Sequence, residues 1–380
     1  MKIVIAPDSF KECLSARQVA SNIALGIRKI APNAEIYEIP ISDGGEGVLE
    51  ALINGVGGRR ISVSVMDPLM RLIQAEYGIL KDGKTAVIEM AKASGLELLK
   101  EPEKNPLITT TFGTGQLIKD ALDKGCNKII IGIGGSATND GGVGMVRALG
   151  AKFLDDQGEE IPEGGGSLGR LTTIDLSNFD DRIQNCELIV ACDVSNPLSG
   201  ANGASMVYGG QKGGSMEDLE FLDRNLAHYA TKIKATIGID VAQIPGAGAA
   251  GGTGAGLLAF LKGQLVNGIE LILQTIKIEE FIKQADLVFT GEGKIDGQTL
   301  HGKTISGIAA MAKKHEVPVI VLTGKIGEGI DEIYNIGVSA VFSIVNQPME
   351  LKVAIDQAPV LIQDCTKNIM AAIMSCKTDL

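Results

Sequence analysis

Lys128–Gly144, KIIIGIGGSATNDGGVG, is the stretch that decides how this chain folds. It opens on a short apolar, β-branched run, Ile129 to Ile133, which reads as a buried strand. Small and polar residues follow, Gly134, Gly135, Ser136, Ala137, Thr138, Asn139 and Asp140, and then apolar residues return with helical spacing at Val143, Met145, Val146 and Leu149. Strand, glycine loop and helix in that order suit an anion. Glycine lets the backbone approach a ligand, and the first N–H groups of a helix favour negative charge. Asp140 adds a carboxylate where a cation could sit. A tight βα turn built for geometry alone would look the same, so the weight of the reading comes from its repetition along the chain.

Lys2–Ile5 predicts a first strand, and Ser15 with Gln18 forms a capping box for a helix striped by Val19, Ile23, Ile27 and Ile30. Glu35–Ile39 predicts a second strand, running into Ser42-Asp43-Gly44-Gly45-Glu46-Gly47 and a further helix. This βαβα opening implies a parallel sheet. From Arg60 the texture changes. Ile61–Val65, Ile73–Leu80 and Thr85–Met90 read as strands, the last two joined by a hairpin at Asp82-Gly83. Such an antiparallel patch inside an α/β chain predicts an inserted domain. The fold expected is therefore α/β: a Rossmann-like parallel-sheet domain formed by both chain ends, residues 1–59 and 285–380, with a second α/β domain, residues 60–284, inserted into it. Met216–Ile237 predicts a long helix; Asp286–Thr290 and Pro318–Leu322 predict late strands; Pro359 is expected to kink or interrupt the last helix.

Composition narrows the function classes. At 380 residues the chain exceeds one ordinary core. Its 49 glycines are nearly twice the usual share of about 7%, and they cluster where apolar runs end. Aromatic residues make up 4% with no Trp, and the net charge is −11, which disfavours a nucleic-acid surface. Six cysteines without a CxxC spacing are expected to be free, buried thiols in a reducing cytosol. No apolar stretch reaches the length of a membrane span.

Apolar runs repeatedly end in a small loop holding one acid: Asp8, Asp43, Asp140, Asp193 and Glu292. In open parallel sheets ligands bind beyond the carboxyl ends of the strands. Several carboxylates sharing one crevice would repel one another unless a cation joined them, which points to Mg²⁺ held by one or two acids and a polyphosphate. One acid could take the proton of an attacking hydroxyl, and Lys11, Lys294, Lys303 and Lys325 sit near the same loop ends. Asp is also a good helix cap, so any single acid could be purely architectural.

Two motifs mislead. Gly297–Thr304 matches the P-loop spacing, yet the strand before it is expected to stop near Thr290, too early for a P-loop. Gly132-x-Gly134-x-x-Ala137 follows a strand, with Asp155 at roughly the distance of a ribose-binding acid, so an NAD-dependent oxidoreductase of a small hydroxy acid is a competing reading. A non-catalytic small-anion-binding protein is another.

Six stretches in order resemble the bacterial glycerate kinases of the first type: Ala6–Lys11, Ser42–Gly47, Gly132–Gly142, Cys192–Leu198, Pro245–Gly256, and Gly291–Asp296 continuing to Gly302-Lys303. The resemblance spans essentially the whole chain. It implies ATP- and Mg²⁺-dependent phosphorylation of D-glycerate, mostly at the 2-hydroxyl with the 3-hydroxyl also ascribed to such enzymes. It also implies an active site in the cleft between two α/β domains. Chemistry and position then give the expected roles. Asp193 leads as general base or metal ligand, with Asp8 and Lys11 beside it in catalysis. Ser9, Asp43, Glu46 and Asn196 are expected to contact substrate. Gly134, Gly135, Ser136, Asn139, Gly248, Gly251, Gly252, Thr253 and Lys303 are expected to take nucleotide phosphates or the glycerate carboxylate. Asp193, Asp43, Glu292 and Asp296 form the expected Mg²⁺ set. No nucleic-acid or membrane partner is expected, and an oligomer is compatible with the sequence.

Overall fold

The computed structural model describes residues 1–41, 47–300 and 304–377. Asp43, Glu46 and Lys303 lie outside the described residues. Thirteen strands are described. The chain opens with β1 (Lys2–Ile5) and β2 (Glu35–Glu38). It continues through β3 (Gly58–Met66), β4 (Leu72–Leu80), β5 (Thr85–Glu89) and β6 (Lys128–Gly132). Next come β7 (Lys152–Leu154), β8 (Thr173–Asp175), β9 (Glu187–Ala191) and β10 (Gln264–Val266). It closes with β11 (Leu287–Ile295), β12 (Val319–Ile326) and β13 (Val338–Ser343).

Two compact units result. The first combines the described residues up to Ile41 with those from Ile269 on; the second runs from Gly47 to Gly268. Both borders fall earlier in the chain than residues 60 and 285, where the sequence places them. The helix Val48–Val56 belongs with the second unit because it packs on β4 and β5. The Leu49 N–H donates to the Glu89 carboxylate at 3.2 Å, and Gly78 on β4 leaves room for Leu49 and Ile53.

The first unit is a five-stranded parallel sheet in the order β13-β12-β11-β1-β2. Its core gathers Ile3, Ile5, Ile23, Phe289, Leu322 and Ile362. The predicted capping box is present: Ser15 accepts from the Gln18 N–H while Gln18 accepts from the Ser15 N–H. β11 and β12 run past Thr290 and Leu322, where the sequence has them stop, and keep pairing to Ile295 and Ile326. Glu292 and Lys294 therefore project from a strand rather than from a loop. The last helix, Leu351–Lys377, continues through Pro359. Proline removes the N–H that would bond the carbonyl four residues back. That carbonyl, Ile355 O, lies 3.7 Å from the Cys13 sulfur, a weak substitute donor. Burial pushes the Cys13 thiol up, which keeps it protonated.

The second unit is a six-stranded sheet, β10-β9-β6-β5-β4-β3, parallel from β10 to β5 and antiparallel from β5 to β3. The strand that opened the sequence reading, β6, lies between β5 and β9, and Ile129, Ile130 and Ile131 are each 0% exposed. Burying side chains of that size stabilises by about 1.5–3 kcal/mol each, enough to anchor the polar loop that follows. The sequence expects residues 155–181 to be mostly loop. The small hairpin-like pair β7–β8 frames this region, with a 3-10 turn at Gly165–Arg170. Among the described residues no helix is long and apolar enough to cross a membrane.

Candidate active site

In the second unit the carboxyl ends of β6 and β9 lie side by side. A cavity of about 360 Å³ opens there, lined by Gly134, Gly135 and Ser136 after β6, and by Cys192, Asp193 and Val194 after β9. Asp193 is exposed, and one carboxylate oxygen accepts the Gly268 N–H at 2.8 Å. Gly135 has φ of +69°, which turns the loop across the strand end. Neither Gly134 nor Gly135 donates its N–H to a protein acceptor among the described residues.

Lys212 closes the same cavity and was missed in the sequence. It sits in a 3-10 turn, Gly210–Lys212, and is only 1% exposed. Its Nζ donates to Ser136 Oγ at 2.8 Å and to the Thr138 carbonyl at 2.7 Å. Burial pulls its pKa down to about 7, against the nearby Asp140 charge. The only hint in the sequence is one lysine flanked by glycines, Gly209-Gly210-Gln211-Lys212-Gly213-Gly214, which also describes a solvated turn.

Several of the expected contact residues are engaged within the protein. Asp140 is 1% exposed and accepts from the Thr111 N–H and hydroxyl, both at 2.8 Å, and from the Gly142 and Gly144 N–H groups, both at 3.1 Å. It caps and clamps the helix Val143–Ala148 rather than facing a metal. Burial pushes its pKa up, and the Thr111 and Gly144 hydrogen bonds pull it back. Asn139 is fully buried and donates to Ser205 Oγ at 2.9 Å. Gly248, Gly251, Gly252 and Thr253 are buried behind the cavity wall, where Ala249 and Ala250 are the residues that line it. The Gly248 N–H is taken by the Asn196 carbonyl at 3.0 Å. Asn196 itself accepts the Tyr208 hydroxyl at 2.7 Å, so it positions Tyr208, which lines the cavity.

Gly251 shows how tightly the loops pack. Its φ is +67°, and a Cβ there would lie 1.9 Å from the Thr138 carbonyl oxygen. A Gly251→Ala substitution combines a left-handed backbone with a backbone clash and should cost about 3–5 kcal/mol. Urea unfolding of the variant would show it, and a loss under 1 kcal/mol would contradict this packing.

In the first unit the carboxyl ends of β1 and β11 are also neighbours, and the Asp8 N–H donates to the Gly291 carbonyl at 2.8 Å. A cavity of about 840 Å³ lies there. Asp8, Ser9, Lys11, Glu292 and Asp296 line it together with apolar residues such as Ile344, Val345, Met349 and Ile355. Asp8 is 8% exposed; it accepts the Ser9 N–H at 2.6 Å and the Thr304 hydroxyl at 3.0 Å. Glu292 accepts the Thr299 hydroxyl at 2.6 Å, and Asp296 pairs with Lys294 at 2.7 Å. The structure thus gathers the expected acids in two sets, Asp8 with Glu292 and Asp296, and Asp193 with the Gly134–Ser136 loop.

Asp155, the acid a dinucleotide site would need, is spent on its own turn. It accepts the Gln157 and Glu159 N–H groups at 3.0 and 3.1 Å and pairs with Arg170 at 2.9 Å. It has no role left for a ribose. Each α/β unit thus has a cavity beyond the carboxyl ends of parallel strands, lined by at least one carboxylate and one lysine.

Known proteins resolve the class. The family model described as the glycerate kinase family matches residues 3–374. Glycerate kinase from Halalkalibacterium halodurans is 50% identical over 97% of each chain. Glycerate 2-kinase from Escherichia coli K12 is 50% identical over 98% of each. A crystal structure from Salmonella typhimurium LT2, assigned as glycerate kinase 2, superposes with a TM-score of 0.91 at 46% identity, covering 100% of this chain and 99% of that one. The chain belongs to the glycerate kinase family and is a phosphotransferase.

Proposed function

We propose that this enzyme transfers the γ-phosphoryl group of ATP to the 2-hydroxyl of D-glycerate, giving 2-phospho-D-glycerate and ADP. The observation that carries the reading is Asp193, an exposed carboxylate held by the Gly268 N–H on the wall of a cavity of about 360 Å³, a size suited to a three-carbon acid. In this reading Asp193 takes the hydroxyl proton. The oxygen forms its new bond to the γ-phosphorus, the bond from phosphorus to the ADP oxygen breaks, and the proton leaves Asp193 for solvent. The larger cavity, lined by both apolar and charged residues, suits a nucleotide, its base against Ile344, Val345 and Met349 and its phosphates near Lys11, Lys294 and Lys325. The 2-hydroxyl is favoured by the likeness to glycerate 2-kinase.

The residues present fit Mg²⁺. Asp8, Glu292 and Asp296 offer hard oxygen donors in one cavity. Among the described residues no three acidic, His or Cys side chains form a ready cation cage, which suits a cation that usually takes one or two carboxylates and completes its shell with phosphate and water. When bound, Mg²⁺ neutralises phosphate charge. EDTA is expected to abolish turnover and added Mg²⁺ to restore it.

Phosphorus NMR of an incubation with ATP and D-glycerate tests the whole reading. A 2-phosphoglycerate resonance is expected. A 3-phosphoglycerate resonance would move the chemistry to the other hydroxyl, and no phosphoglycerate at all would reject the reading.

A further inference from the structure

A buried ammonium is costly unless a negative partner meets it. Lys212 has two neutral acceptors, Ser136 Oγ and the Thr138 carbonyl, and among the described residues no carboxylate oxygen comes within 4.0 Å of its Nζ. An ammonium carries three donors, so one is unspent by these bonds, and the residue lines the cavity that also holds Asp193. Beside it stand the N–H groups of Gly134 and Gly135, which no protein acceptor uses among the described residues. Residues carrying a cation, two unspent backbone donors and a carboxylate line this one small cavity, a set that matches a hydroxy acid group for group.

We infer that Lys212 is the counter-charge for the substrate carboxylate, binding it together with the Gly134–Gly135 backbone so that the hydroxyl is presented to Asp193. The inference rests on the proposed D-glycerate reaction and deepens it. It assigns the glycine loop after β6 to the acid rather than to the nucleotide. A monovalent carboxylate balances one ammonium, whereas a triphosphate would need the larger cavity and more than one cation.

Arrival of the anion must favour the charged lysine. The groups around Lys212 are Asp140 behind it, and Cys192, Asp193 and Tyr208 in the same cavity. Burial raises both the Cys192 and the Tyr208 pKa, so neither ionises near pH 8. Lys212, pulled down to about 7, is mostly neutral there and has to gain a proton when a carboxylate binds.

The test joins calorimetry on the parent enzyme with kinetics of two variants. D-glycerate is titrated into the ATP-free enzyme at pH 8 in two buffers of different ionisation enthalpy. Uptake approaching one proton is expected. Lys212→Gln and Lys212→Met are expected to raise KM for D-glycerate about 30- to 1,000-fold, with KM for ATP within about twofold. They should also lose most of the parent's preference for D-glycerate over its uncharged methyl ester, whereas a purely structural lysine would weaken both substrates alike. The glutamine variant keeps a donor for Ser136 and Thr138, which guards against simple misfolding. No proton uptake, or an unchanged preference in a folded variant, overturns the inference. If D-glycerate binds with proton uptake but no phosphoglycerate forms, the kinase reading fails and the carboxylate site stands.

Discussion

An Asp193→Asn enzyme is expected to fold as the parent does and to turn over D-glycerate about 10²–10⁴-fold more slowly, the usual contribution of a positioned general base. The amide keeps an oxygen for the Gly268 N–H, so the loop after β9 retains its 2.8 Å anchor. What it loses is the ability to accept a proton. The deficit should therefore appear mainly in kcat, because the asparagine oxygen still meets the Gly268 N–H while proton acceptance is lost. The neighbouring Cys192 does not substitute, since burial keeps its thiol protonated. Steady-state kinetics with a matched circular dichroism spectrum decides the matter. Near-normal turnover in a folded Asp193→Asn protein would remove this carboxylate from the chemistry.

An Asp140→Ala protein is expected to be destabilised by about 3–5 kcal/mol. Three backbone N–H groups and two hydroxyls, those of Thr111 and, at 3.5 Å, Thr110, converge on this carboxylate in the interior. Each buried donor left without an acceptor costs about 1–3 kcal/mol, and relaxation recovers part of the sum. Truncation also strips Lys212 of its nearest formal negative charge, adding to the loss. Urea denaturation gives the measurement. A cost below 1 kcal/mol would mean that water or another group replaces the clamp.

Asp140 and Asp193 explain how far the sequence could be read. Both follow a buried strand and a few small residues, so they look alike on paper. One is surrounded by donors that include Thr111, 29 positions earlier in the chain but next to it in space; the other lines a cavity. Local pattern sees the strand and the turn and is blind to which distant segment arrives. The same limit hid Lys212, because a glycine-flanked lysine reveals its burial only once Ser136 and Thr138 are packed against it. Gly251 and Gly252 likewise pack closely on the neighbouring loop, Gly251 against Thr138 and Gly252 against Gly141, which local pattern does not show.

Where short-range physics governs, the reading held. The helix Met216–Ile237 appears with the residues its pattern predicts, and the Ser15–Gln18 cap is present. β6 lies where its isoleucines put it. The strand expected to stop near Thr290 pairs with β12 as far as Ile295, since glycine weakens a strand without preventing its hydrogen bonds. The parallel opening and the antiparallel patch were both legible. The domain borders were not, because the helix Val48–Val56 carries no mark of which sheet it will cover.

The sulfur of Cys13 stands in for the proton that Pro359 lacks, and it does so on the wall of the larger cavity. Capping that thiol with an alkylating reagent would orphan the Ile355 carbonyl and loosen the start of the terminal helix. The helix contributes Leu351, Ala354, Ile355 and Ala358 to the same wall. Chemical protection of a single cysteine thus becomes a gauge of whether that chamber is filled.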